Sequence, residues 1–195
     1  MKHYYENIQG WFSFMKLYSD MVKRFPDGSH FVEVGSWNGK SAVYMGVEIV
    51  NSNKNIIFDC VDDWDPNNDI KNYTTSNNTT HEKAFNTFLK NIEPLSTIIN
   101  YKRIDSVSAS KAYDDESLYF VFIDAAHDYD NVMNDIISWY PKVKRGGIIA
   151  GHDYYWNKRE AGEKQTVRDA VDDFFKKKNL DIRFECKTCW VHDKT

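Results

Sequence analysis

Apolar positions along the chain switch between two spacings. Residues 4–25 carry Trp11, Phe14, Met15, Tyr18, Met21, Val22 and Phe25 at helical intervals, and Pro26-Asp27-Gly28 breaks that helix. His30 to Gly35 reads as a first strand, followed by a helix with Val43, Tyr44, Val47 and Val50 inward. Asn55 to Trp64 is a second strand, and a helix with Ala84, Phe85, Phe88, Leu89 and Ile92 inward runs to Pro94. Ser96 to Lys102 predicts a third strand, with a short helix after Arg103. The apolar run Tyr119–Ile123 is the fourth strand, and Tyr129, Val132, Met133, Ile136, Ile137 and Tyr140 form an amphipathic stripe. A fifth strand, entered by a Gly-Gly turn, spans Arg145 to Tyr154. A helix from about Gln165 to Lys178 and a hairpin of 182–187 with 188–192 complete the chain.

Strands alternating with helices imply right-handed crossovers. The predicted fold is α/β: one doubly wound, Rossmann-like, mostly parallel sheet flanked by helices, with a C-terminal antiparallel edge hairpin. The whole chain, 1–195, reads as a single domain in which 1–27 is an N-terminal helix, with core packing favoured over a lid. Residues 65–80 are polar and without apolar period, and are expected to be a mobile flap over the site.

Composition narrows the function. The net charge is −4 with no long basic run, so nucleic acid is not an expected partner. No apolar stretch approaches the roughly 20 residues of a membrane span, and the first residues lack the apolar core of a signal peptide. A homo-oligomer is left open. Three cysteines do not make a disulfide framework in 195 residues. Cys186 and Cys189 form a Cys-x-x-Cys pair with only His192 nearby, too few ligands for structural zinc. A reducing, cytoplasmic location is the expectation.

Chemistry gathers at strand ends. In parallel sheets ligands bind beyond the carboxyl ends of the strands. Five such ends carry Glu33 and Gly35, Asp62 and Asp63, Asp105 and Ser106, Asp124 and His127, and His152 and Asp153. Glu33 lies inside a buried strand and needs a partner, either a cationic ligand group or a structural Lys or Arg. The turn Gly35-Ser-Trp-Asn-Gly39 has Gly-x-x-x-Gly spacing, a poor nicotinamide signature. Asp62, Asp63 and Trp64 stand where such folds place a ribose-binding carboxylate. An acidic edge suits a ligand with hydroxyls and positive charge and no phosphate, a description that S-adenosylmethionine fits.

Glu33-Val-Gly-Ser-Trp-Asn-Gly-Lys-Ser-Ala42 resembles the first cofactor motif of metal-dependent small-molecule O-methyltransferases. Phe122-Ile-Asp-Ala-Ala-His-Asp-Tyr129 and Gly147-Ile-Ile-Ala-Gly-His-Asp-Tyr154 resemble the branch with macrocin-type sugar O-methyltransferases. From about Phe31 to Tyr154 the chain is similar to class I S-adenosylmethionine-dependent methyltransferases.

The resemblance implies that Glu33, Gly35, Ser36, Asn38 and Gly39 surround the cofactor, with Ser41 on its methionine carboxylate. It implies that Asp62, or Asp63 beside it, binds the ribose near Trp64, and that Asp105 and Ser106 border the adenine. Asp124 would touch the cofactor and, with Asp153 and His152, hold a divalent cation such as Mg²⁺ or Mn²⁺. His152 replaces the acid or amide of catechol-type relatives, which favours softer metals than Mg²⁺. His127 matches the offset of a lysine base in those relatives, with capping of the following helix as its plain alternative. The implied reaction is O-methylation of a small-molecule hydroxyl. The other reading is a nucleoside-type binding module or an oxidoreductase on the same fold.

Overall fold

The computed structural model describes residues 1–64, 81–155 and 166–195. The predicted flap at 65–80 lies outside the described residues. Among the described residues seven strands form one sheet: β1 (His30–Val34), β2 (Ile57–Asp62), β3 (Ile99–Arg103), β4 (Leu118–Ile123), β5 (Val143–Gly151), β6 (Arg183–Glu185) and β7 (Cys189–Asp193). Their order is β3-β2-β1-β4-β5-β7-β6. The pairs among β1 to β5 are parallel, and β7 runs antiparallel to both β5 and β6. The central strands β1 and β4 are almost wholly buried, as two-sided apolar runs require in a sheet covered on both faces. The strand order reverses between β1 and β4, so the ligand crevice opens there.

The α-helices among the described residues are α1 (Met15–Arg24), α2 (Lys40–Ser52), α3 (His81–Ile92), α4 (Ser106–Ser110), α5 (Tyr129–Trp139) and α6 (Val167–Lys177). Leu17, Tyr18, Val43 and Phe88 belong to a core on one side of the sheet. Val132, Ile136, Trp139, Val171 and Phe175 pack on the other. Local signals start and stop these helices. Asp128 caps α5 by accepting from the Asn131 N–H at 3.1 Å, and Thr166 opens α6 with a capping box to Asp169. Lys176 and Lys177 sit in the last turn of α6, where the helix dipole favours cations. Among the described residues no helix is long and apolar enough to cross a membrane.

Three boundaries differ from the sequence reading. The N-terminal helix is confined to Met15–Arg24, preceded by a 3₁₀ turn at Tyr5–Asn7. Gly10, at φ +139°, is outside helical space, and the Trp37 ring lies 3.1 Å from where a Cβ would stand. The segment before α1 is therefore laid across the glycine turn. The third strand starts at Ile99, because Glu93–Leu95 forms a 3₁₀ turn containing Pro94. The Gly-Gly pair does not precede β5 but lies within it. The register jumps from Leu118↔Val143 to Phe120↔Ile148, and Gly146 and Gly147 bond to Lys194 backbone.

Candidate active site

Register explains why the predicted residues meet. Val34 is paired with both Val61 and Ile123, and Ile123 with Gly151. Gly35, Asp62, Asp124 and His152 are each the next residue along. Backbone bonds carry the ladder into that row: Gly35 N–H to Val61 O at 2.8 Å, Asp124 N–H to Val34 O at 2.8 Å and His152 N–H to Ile123 O at 3.1 Å. The first strand approaches the fourth so closely that a Cβ on Gly35, which has φ +89°, would lie 2.2 Å from the Asp124 carbonyl oxygen. Only glycine fits there.

The turn after β1 is tied down by Asp62. Its Oδ2 accepts from the Ser36 and Trp37 N–H groups, both at 2.8 Å, and its Oδ1 from the Trp64 N–H at 2.8 Å. Trp37 and Trp64 have φ of 42° and 47°, a conformation that is costly for bulky side chains and held only where surroundings dictate it. Burial raises the Asp62 carboxyl from its ordinary range, against the pull of those three donors. Trp64 is buried between Phe85 and Phe88, and its indole N–H donates to the Trp37 carbonyl at 2.8 Å. Asp63, beside it, is half-buried.

Within this turn the cradle holds polar atoms that the protein itself does not satisfy. Glu33 is 1% exposed; Tyr18 donates to its Oε2 at 2.6 Å, while its Oε1 is buried without a hydrogen-bond partner. Burial pushes the Glu33 carboxyl up to about 7, opposed first by the Tyr18 hydrogen bond. Ser36 Oγ and Asn38 Oδ1 are also buried and unpartnered. Native structures leave few such groups, so three at the end of β1 and in its turn make a candidate ligand position. Their acceptor character suits a ligand ammonium and hydroxyls, and so fits S-adenosylmethionine. Among the described residues neither Lys nor Arg pairs with Glu33. Gly39 caps α2, and Ser41 lies in its first turn.

The predicted adenine border is built for its own support. Asp105 caps α4 through the Ser108 N–H at 2.8 Å and stays exposed; Ser106 Oγ accepts from the Trp139 indole at 2.8 Å.

At the ends of β4 and β5 lies an acid–imidazole cluster. Among the described residues, Asp124, His152 and Asp153 form the one group able to offer three metal ligands, with donor atoms within 4.8 Å of one another. His152 Nδ1 is 3.1 Å from Asp153 Oδ1 and 3.5 Å from Asp124 Oδ1. Burial alone would lower the His152 pKa, yet hydrogen bonds and charge from Asp124 and Asp153 push it up to about 10. Burial would likewise raise Asp153, yet His127 and His152 hold it well below the carboxylate range. Two carboxylates that draw a proton onto a half-buried imidazole form a site short of positive charge. The donor set therefore fits a divalent cation, with the imidazole favouring Mn²⁺ or a softer ion over Mg²⁺.

His127 reaches this cluster from the turn before α5. Its Nε2 is 2.7 Å from Asp153 Oδ2, and its ring is 45% exposed. Burial lowers its pKa, but the Asp153 hydrogen bond and the Asp124 and Asp153 charges carry it above the ordinary value. Asp128, not His127, supplies the side-chain cap of α5. A cavity of about 10 Å³, room for one water, is lined by Asp124, His127, His152, Asp153 and Trp190. The Trp190 indole N–H is buried and unpartnered.

Sequence reasoning missed Tyr18, counted as core, and Ser13 and Thr188, which both reach His152. Tyr18 carried a signal: a polar tip on an apolar stripe facing a buried strand acid. Ser13 and Thr188 carried none, since chain folding alone brings them there from 139 and 36 residues away. Cys186, Cys189 and His192 do not join as ligands; His192 Nδ1 instead pairs with the Asp181 carbonyl at 2.7 Å.

No curated protein matches the chain by sequence. Solved structures do match in fold. The O-methyltransferase NovP superposes with a TM-score of 0.67 at 16% identity, over 93% of this chain and 79% of that one. SMU.1697c of Streptococcus mutans, solved in complex with S-adenosylhomocysteine, gives 0.63 at 10% identity over 96% and 100%. An O-methyltransferase family protein from Burkholderia thailandensis gives 0.61 at 9% identity over 93% and 55%. The family described as methyltransferase domain matches residues 32–154, well over half of the 195. With that match, and with the sheet order and glycine cradle above, the chain belongs to the methyltransferase domain family and has the class I, S-adenosylmethionine-dependent fold.

Proposed function

We propose that the protein transfers a methyl group from S-adenosylmethionine to the hydroxyl of a small molecule, assisted by a divalent cation. One observation carries this reading: the cradle with unpartnered Glu33, Ser36 and Asn38 atoms ends one residue from the Asp124–His152–Asp153 cluster, across the β1–β4 switch point. A donor cradle and a site for an acceptor oxygen are thus adjacent. O-methyltransferases among the similar structures support the choice of oxygen as acceptor.

S-adenosylmethionine supplies an activated methyl on its sulfonium, and the cation supplies charge that favours the deprotonated acceptor oxygen. The chain's residues do the rest. Glu33 Oε1 and Asn38 Oδ1 accept from the ligand ammonium, and Ser41 at the start of α2 takes the carboxylate. Asp62 fixes the turn, and Asp62 or Asp63 accepts from the ribose. Asp124 and Asp153 with His152 hold the cation. His127 Nε2 hydrogen-bonds Asp153, which orients the ring as the base for the acceptor's proton. Holding the oxygen in line with the methyl is the larger part of such catalysis.

The test is transfer of labelled methyl from S-adenosylmethionine to a panel of phenols, catechols and sugars, with amines and activated carbon acids beside them. Transfer that falls in excess chelator and returns with Mn²⁺ supports the reading. Transfer to nitrogen or carbon acceptors alone, or full activity in metal-free protein, overturns it.

A further inference from the structure

His152 is held at both ring nitrogens, and its two Nε2 partners come from opposite ends of the chain. Its Nε2 lies 2.8 Å from Thr188 Oγ1 and 3.0 Å from Ser13 Oγ. Its Nδ1 faces the Asp124 and Asp153 carboxylates. The Phe14 ring packs beside the imidazole, centroids 5.1 Å apart. Thr188 sits in the β6–β7 turn, whose Cys186 and Lys187 take left-handed φ of 49° and 66°. Its carbonyl accepts the Tyr154 N–H at 3.0 Å, so the same residue also fixes the backbone just beyond Asp153.

We propose that Thr188 and Ser13 are positioning residues that make His152 an Nδ1 ligand of the cation. This rests on the cation site of the preceding section. An imidazole can ligate only through the nitrogen that lacks a proton, and its other N–H then needs an acceptor. Two hydroxyl oxygens at Nε2 can accept its N–H, so that when a cation displaces the Nδ1 proton the Nδ1 lone pair points to where Asp124 and Asp153 converge. Without them the ring is free to turn about its Cβ–Cγ bond, and the unused N–H is left unpaired in a half-buried site. The strands supply the ligands; the turn after β6 and the segment before α1 supply their aim.

The test is Mn²⁺ binding to the metal-stripped full chain, followed by electron paramagnetic resonance, with spin-echo modulation to read nitrogen coordinated to the ion. Wild type should bind Mn²⁺ and show one imidazole nitrogen. Removing outer partners of metal-bound histidines costs about 10–100-fold in affinity, so Thr188→Val should weaken Mn²⁺ about 10-fold and Ser13→Ala with Thr188→Val about 100-fold, with the nitrogen signal lost. Thr188→Ser should restore both readouts, which a merely structural role does not require. Circular dichroism checks folding; if Thr188→Val is unfolded, Ser13→Ala and Thr188→Ser carry the comparison. A double variant with wild-type affinity and an intact nitrogen signal overturns the role of these hydroxyls. No Mn²⁺ binding by wild type overturns the cation site itself, and this role with it.

Discussion

Replacing Asp62 separates two roles that the sequence merges. Its carboxylate accepts three backbone N–H groups, from Ser36, Trp37 and Trp64. Each hydrogen bond to a charged group contributes about 1.5–3 kcal/mol net, and a buried donor left unpaired costs about 1–3 kcal/mol. The three are coupled through one side chain, and water can reach this half-buried position, so their effects will not add in full. Asp62→Ala should lower the unfolding free energy by about 3–5 kcal/mol, a large part of the 5–15 kcal/mol of an ordinary domain. The two turns that Asp62 ties store strain of about 1–3 kcal/mol at each of Trp37 and Trp64, which is released when the anchor goes. Asp62→Asn keeps the oxygen for Ser36 and Trp37 but turns an amide NH₂ toward the Trp64 N–H, and should cost about 1–2 kcal/mol. Urea unfolding of the three proteins, with and without S-adenosylhomocysteine, reads both roles at once. A ribose contact alone would cost about 1.5–3 kcal/mol of ligand affinity and leave the unfolding midpoint unmoved. An Asp62→Ala protein as stable as wild type, within about 0.5 kcal/mol, would refute the anchoring argument.

Three further outcomes are expected. Glu33 titrates near 7 when folded and near 4.5 in the open chain, so the native state binds the extra proton between those values. Stability should therefore fall as pH rises from about 4.5 to 7, by roughly 3 kcal/mol, and Glu33→Gln should flatten that slope; an unchanged slope would deny the shift. His127→Ala should retain S-adenosylhomocysteine binding while turnover falls by about 10²–10⁴-fold, and a loss below about threefold with a true acceptor would leave His127 without a catalytic part. Asp124→Asn should reduce Mn²⁺ affinity in calorimetry by about 10-fold or more, and unaltered affinity would remove Asp124 from the ligand set.

The architecture was legible because its signals are periodic. Two-sided apolar runs gave β1 and β4, amphipathic stripes gave the helices, and strand ends one residue past the registered pairs gave Gly35, Asp62, Asp124 and His152. What escaped was set by contacts distant in sequence. Gly10 broke a helical stripe because Trp37 occupies the space beside it, which no local pattern announces. The Gly-Gly pair became a bulge because Lys194 pairs with both glycines. Asp62 was readable as an acid at a strand end, but its three backbone partners depend on how two turns meet. Tyr18 and Thr188 look like core and hairpin until Glu33 and His152 are placed beside them.

Calorimetric titration of the purified chain with S-adenosylhomocysteine, and separately with NAD, tests the central claim most directly. The orphaned Glu33, Ser36 and Asn38 atoms and the acidic strand ends predict saturable one-to-one binding of S-adenosylhomocysteine and none of NAD. Binding of NAD with no heat from S-adenosylhomocysteine would contradict the account at its root.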